Sequence, residues 1–130
     1  MPSHVMAIKY EIEPTMGAVL TTVTGIVTTD EIIKYLAEVL PHPKRGRPQR
    51  EIFDLRSAEL VQLDMEGVRR IAAFVGSYRD EIESGKVAVV ASRDFEFGMG
   101  RVVGAHLDEL PLDFRVFRKM EDARAWIGLA

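Results

Sequence analysis

The chain contains no cysteine. That removes disulfides, thiolate nucleophiles and cysteine-ligated metals from the chemistry open to it, and it fits a reducing compartment such as the cytoplasm. No apolar run approaches the roughly 18 residues that a membrane-spanning helix needs. The opening residues, MPSHVMAIKYEIEP, lack the basic-then-apolar order of a secretory signal. Net charge is also small: 17 Lys and Arg against 20 Asp and Glu leave −3, so general attraction to nucleic acid is not expected. His4, His42 and His106 are scattered with no metal-ligand spacing between them, so neither a metal nor another cofactor is expected. No nucleophile elbow is present to organise a Ser-His-Asp set, and no catalytic residue is assigned.

What is present suits one domain. A length of 130 residues, 47% of them apolar and 28% charged, is enough for a single core spanning 1–130. No linker, low-complexity tract or internal repeat divides it. The stretch from Glu51 to Phe74 organises the rest. Ile52, Phe53 and Leu55 read as a strand inside a sheet. Val68, Ile71, Ala72 and Val75 then fall on one face of a helix starting near Met65. Between them a turn of about eight residues ends on Asp64, a residue suited to cap that helix. A loop leading from strand to helix lies at the carboxyl edge of an open α/β sheet, where such proteins usually carry their working residues.

Around that centre, alternation over Val5–Ile12 and β-branched residues over Ala18–Thr24 predict an antiparallel hairpin closed by Gly25. Thr28 and Glu31 form a capping-box pair for a helix carrying Ile32, Ile33, Leu36, Val39 and Leu40 and stopping at Pro41. Residues 41–50, with three prolines and the basic Lys44, Arg45, Arg47 and Arg50, read as an exposed loop. The central helix is expected to run to Gly85 and to be followed by a buried strand, Val87–Ala91. A helix from Phe97 to Leu110, a strand Phe114–Phe117 and a closing helix Glu121–Ile127 complete the order β-β-α-β-α-β-α-β-α. The fold class is α/β, with a mixed, mostly parallel sheet covered by helices.

This order and several local motifs resemble the STAS domain, the fold of bacterial anti-sigma-factor antagonists, and more closely its SpoIIAA-like branch, also described as CRAL-TRIO-like. The motifs are Leu63-Asp64-Met65-Glu66-Gly67-Val68, where antagonists carry apolar-Asp-Ser-Ser-Gly-apolar, Ile52-Phe53-Asp54-Leu55 before it, Phe97-Gly98-Met99-Gly100-Arg101, and the tail Phe117 to Ile127 with Ala123 and Trp126. The resemblance implies a regulatory module without catalysis. It also implies a departure, because antagonists are switched by serine phosphorylation in that motif and Met65-Glu66 stands there instead. Glu66 supplies one permanent negative charge at a helix start, where the dipole favours it.

The candidate surface for a protein partner is therefore Asp64, Glu66, Arg69 and Arg70, although an acidic cap and first turn also serve a helix by themselves. Ser57 is the nearest loop hydroxyl and the candidate for phosphorylation. Gly98 and Gly100, placed at a strand-to-helix turn with Arg101 and Arg93, could hold an anion on free backbone N–H groups, or could simply let the helix approach the sheet. The CRAL-TRIO likeness implies an alternative: a binder or carrier of a small apolar or lipid-like ligand, with Phe95, Phe97, Met99 and Val103 as one wall. The basic loop leaves peripheral membrane contact open. It lies at the sheet end opposite Glu66 and Gly98.

Overall fold

The structure, a computed structural model, describes residues 7–129; His4 and the predicted strand start at Val5–Met6 lie outside them. Five strands, β1 (Ile8–Ile12), β2 (Val19–Ile26), β3 (Arg50–Glu59), β4 (Gly85–Val90) and β5 (Leu112–Phe117), lie side by side in chain order. β1 and β2 pair antiparallel and every later pair is parallel. Each parallel step needs a crossover, and these are α1 (Thr29–Val39), α2 (Met65–Gly76) and α3 (Asp94–His106). Crossovers of one hand that always step in one direction put their helices on one face. Accordingly Ile32, Val68, Ile71 and Leu107 share a core with Val23, Leu55 and Val89. The closing helix α4 (Met120–Ile127) covers the other face, where Ala123 and Ile127 meet Ile52, Ala88 and Val90.

The local chemistry explains the element starts. Thr28 and Glu31 form the reciprocal capping box of α1, with Glu31 N donating to Thr28 Oγ1 at 3.2 Å and Thr28 N to Glu31 Oε1 at 2.8 Å. The Glu13 carboxylate ties the β1–β2 turn by accepting from the Thr15 hydroxyl and the Met16 amide, which holds its pKa down at about 2.

Several boundaries differ from expectation. β2 continues through Gly25 to Ile26, with Gly25 at φ +70°, a left-handed conformation that glycine adopts freely. β3 runs on to Glu59 because Ser57, Ala58 and Glu59 pair with Thr24, Gly25 and Ile26 beyond a register shift. The connection to Asp64 therefore shrinks to Leu60–Leu63, and Ser57 is an exposed strand residue rather than a loop residue. α2 stops at Gly76, and residues 77–84 form turns that bury Ile82; Gly85 opens β4 instead of ending a helix. α3 begins at Asp94, three residues before Phe97, so Gly98 and Gly100 fall past its first turn rather than at its start. His106 is exposed rather than packed, its Nδ1 3.0 Å from the Val102 carbonyl oxygen.

The 41–50 segment is not uniformly solvated. Lys44 and Arg47 are exposed, but Arg45 and Gln49 are only 3% and 1% exposed, and Arg50 belongs to β3. Arg45 turns inward because its guanidinium donates to the Leu40 and Glu81 carbonyls, both at 3.0 Å. A buried cation is tolerable only with such partners.

Candidate functional site

The connections following β2, β3, β4 and β5 converge on one edge of the sheet, and this edge holds the predicted partner residues. Asp64 caps α2, accepting from Gly67 N at 2.8 Å. Gly67 lies so close to α1 that an added Cβ would stand 2.3 Å from Thr29 Oγ1. The Asp-x-x-Gly spacing therefore has a structural role here: it starts α2 and lets it approach α1. Glu66 and Arg69 are exposed, and Arg70 reaches across to Asp30 at 2.8 Å, joining α2 to α1. Asp64, Glu66, Arg69 and Arg70 thus share one exposed helix start.

The predicted anion site is not assembled. Gly98 and Gly100 lie inside α3, beyond the first free N–H groups of the helix. A Cβ on Gly100 would meet Val116 at 3.3 Å and one on Gly104 would meet Phe114 at 2.8 Å, so these glycines set the approach of α3 to β5. Arg93 is engaged elsewhere. It pairs with the buried Glu96 at 3.2 Å and donates to the Ala58 carbonyl, while Glu96 accepts from Leu60 N at 3.1 Å. Arg93 and Glu96 together brace the β3–α2 connection. Arg101 is exposed and lines an open groove between α3 and β5.

The proposed apolar wall is also redistributed. Phe95 is 52% exposed. Phe97 lies beneath the Arg118 guanidinium, 4.1 Å from its ring centroid, while Arg118 binds Asp94 at 2.8 Å. Only Val103 of the four residues lines an interior space. Among the described residues the exposed large hydrophobic side chains are Ile26, Val61, Met65 and Phe95, at 52%, 60%, 44% and 52%. All four stand at the carboxyl edge: Ile26 ends β2, Val61 follows β3, Met65 opens α2 and Phe95 lies in the first turn of α3.

The opposite end of the sheet has a second feature that the sequence reading did not identify. Thr21, Tyr35, Gln49 and Glu51 form a buried polar chain on the face covered by α1, α2 and α3. Tyr35 donates to Glu51 Oε2, Thr21 Oγ1 meets the Tyr35 hydroxyl, and Gln49 Nε2 donates to Glu51 Oε1 at 2.9 Å. Burial pushes the Glu51 carboxyl above the usual carboxylate range against the opposing pull of those hydrogen bonds. Gln49 Oε1 is buried and accepts no hydrogen bond. The signal for this group was period-two spacing: Glu51, Phe53 and Leu55 share one side of β3, Gln49 precedes the strand at the same spacing, and all four line one cavity.

That cavity, about 100 Å³, lies between the sheet and α1, α2 and α3. An empty apolar space of this size costs on the order of 2 kcal/mol, and the unpartnered Gln49 oxygen about 1–3 kcal/mol more. Among the described residues no cluster of three or more His, Asp or Glu is placed to hold a metal ion. No described helix is long and apolar enough to cross a membrane.

The comparison of folds agrees with the architecture. The chain is similar to an uncharacterized protein of the DUF3478 family with a SpoIIAA-like fold from Shewanella loihica PV-4. The TM-score is 0.65 and the identity 17%, over 98% of each chain. At that identity the similarity establishes a SpoIIAA-like fold and no activity. No family model matches the chain, and no curated protein does.

Proposed function

We propose that this protein is a non-catalytic interaction module that docks a protein partner at the carboxyl edge of its sheet. The observation that carries the reading is the gathering of Ile26, Val61, Met65 and Phe95 at that edge. Exposed apolar side chains brought together in one region, rimmed by charge, are the anatomy of a binding surface. The rim here is Asp64, Glu66, Arg69 and the Arg70–Asp30 pair. Glu66 presents a fixed negative charge where the resembled antagonists place a phosphorylatable serine, so binding would be constitutive rather than switched. Ser57, in a strand, is not at the corresponding helix start. A cysteine-free chain suits a cytoplasmic location. Carriage of a lipid-like ligand is the weaker reading, because a 100 Å³ cavity is well below the roughly 300–1,000 Å³ of typical ligand pockets.

The test is capture of partners from the native host by the wild-type chain and three variants. Val61→Asp and Glu66→Lys alter the edge; Arg47→Glu alters the far end. A partner retained by wild type and Arg47→Glu but lost by both edge variants is expected. Identical capture by all four proteins, each shown folded by circular dichroism, would refute the reading.

A further inference from the structure

We propose that the open side of β5 and the adjoining face of α3 form an isologous interface with a second copy of this chain, continuing the sheet across a two-fold axis at Phe114. The proposal does not rest on the carboxyl-edge reading. β5 is the last strand of the sheet, and a bare edge strand is a template for another strand. The Pro111 and Phe117 carbonyl oxygens accept from Ser84 N and Ala91 N, on the β4 side. Alternation along the strand therefore turns the N–H and C=O of Phe114 and Val116 outward.

Charge selects the partner and the register. Asp113 and Arg115 are exposed and flank Phe114. Residues directly opposite in an antiparallel pair share a face and interact. An axis at Phe114 sets Asp113 of each copy opposite Arg115 of the other, and Leu112 opposite Val116. Moving the axis to Asp113 or to Arg115 would set like charges face to face, which is destabilising. Within one chain Asp113 and Arg115 stand 3.6 Å apart, so across the axis they complete an alternating group of charges.

The helix repeats the pattern about the same centre. Gly100 stands against Val116 and Gly104 against Phe114, so α3 runs antiparallel to β5 with Gly104 beside the axis. Arg101 and Asp108 lie to either side of Gly104 and line the groove of about 480 Å³ between α3 and β5. Among the described residues neither side chain has a partner within its own chain. The axis brings Arg101 of each copy toward Asp108 of the other. Gly104 and the exposed Ala105 carry no long side chain at the crossing, so the two helices can approach. Opposite charges on the strand and on the helix thus share one centre, as a self-complementary two-fold contact requires.

The experiment is sedimentation equilibrium of the full chain over a concentration series, with each variant shown folded by circular dichroism. The wild type should associate to twice its 14.6 kDa chain mass. Arg101→Glu alone and Asp108→Arg alone each juxtapose like charges twice, and each should weaken the dimer at least about tenfold. An equimolar mixture of the two variants should associate nearly as tightly as wild type. There the introduced acid of one chain meets the introduced base of the other, and the remaining Asp108 meets the remaining Arg101. A loss caused by misfolding would not be repaired by mixing. Lys9→Glu on β1, the other edge strand, should change nothing. Four results would overturn the proposal: a wild-type chain monomeric throughout, single variants as tight as wild type, a mixture no tighter than its components, or a dimer lost in Lys9→Glu.

Discussion

Alanine placed in turn at Gly98, Gly100 and Gly104 of α3 separates the two roles those glycines were given. Within a helix, Gly→Ala is worth about 1 kcal/mol of stabilisation from backbone entropy alone. At Gly98 a Cβ meets nothing within 4 Å, so Gly98→Ala should show nearly all of that gain. At Gly100 the new methyl stands 3.3 and 3.4 Å from the two Val116 methyls and 3.5 Å from Val89, a tight contact that offsets most of the gain. At Gly104 it stands 2.8 Å and 3.1 Å from two ring carbons of Phe114, whose ring is partly buried against the core. Overpacking of that kind costs about 1–3 kcal/mol, so the net effect there is a loss of about 0–2 kcal/mol. Urea unfolding of the three variants should therefore rank them Gly98→Ala, Gly100→Ala, Gly104→Ala from most to least stable. The spread between first and last should be about 1–3 kcal/mol. Three equal gains would refute the packing argument. So would a loss at Gly98, which would indicate a backbone requirement there that the helix does not show.

Three further perturbations address the interior. Glu51 has a raised pKa in the fold, so its stabilising balance is complete below the ordinary Glu range near 4.5 and is lost as pH rises through the folded value; Glu51→Gln should flatten that decline in a pH series of urea midpoints. Arg45→Ala should cost about 2–4 kcal/mol by stripping the Leu40 and Glu81 carbonyls of a charged donor, whereas the exposed Arg47→Ala should stay within about 0.5 kcal/mol. Leu63→Ala, which enlarges the cavity, should cost about 2–4 kcal/mol; the exposed Val61→Asp should stay within about 0.5 kcal/mol, and equal losses in the two would contradict their assignment to opposite sides of one loop.

Much of the architecture was legible because local chemistry and tertiary placement agree. The Thr28–Glu31 box, the Asp64 cap and the alternation of Ile8, Tyr10 and Ile12 each point to the element observed. Misreadings arose where tertiary contacts decide. Val75, Tyr78 and Ile82 keep helical spacing past Gly76, yet α2 ends there and Ile82 is buried by turns. α3 starts at Asp94 and its N-cap Arg93 makes no side-chain cap, so its first turn carried no signal and the Gly98–Gly100 pair read as the strand-to-helix turn. Arg45 and Arg47 are indistinguishable by composition; two carbonyls on separate segments select which one turns inward. Gln49 fell in the 41–50 segment that read as an exposed loop, and Glu51 only headed the central stretch. Only the packing of α1, α2 and α3 on that face shows that their side of the strand is covered.

The Leu60–Leu63 connection has one side at the exposed edge and the other in the interior cavity. Leu60 and Leu63 are buried and line the cavity, while Val61 between them is the most exposed of the four large apolar residues at the edge. The buried Glu96 carboxylate holds Leu60 N in place, and Arg93 fixes both Glu96 and the Ala58 carbonyl just before the loop. A four-residue connection pinned at that point has little freedom to move its outer residue without moving its inner ones. The Arg93–Glu96 pair is therefore better understood as the support that keeps Val61 and Met65 presented than as part of an anion site. It also makes Val61 the informative position for the edge: it is 60% exposed, so a change there alters the surface while Leu60 and Leu63 continue to close the cavity beneath it.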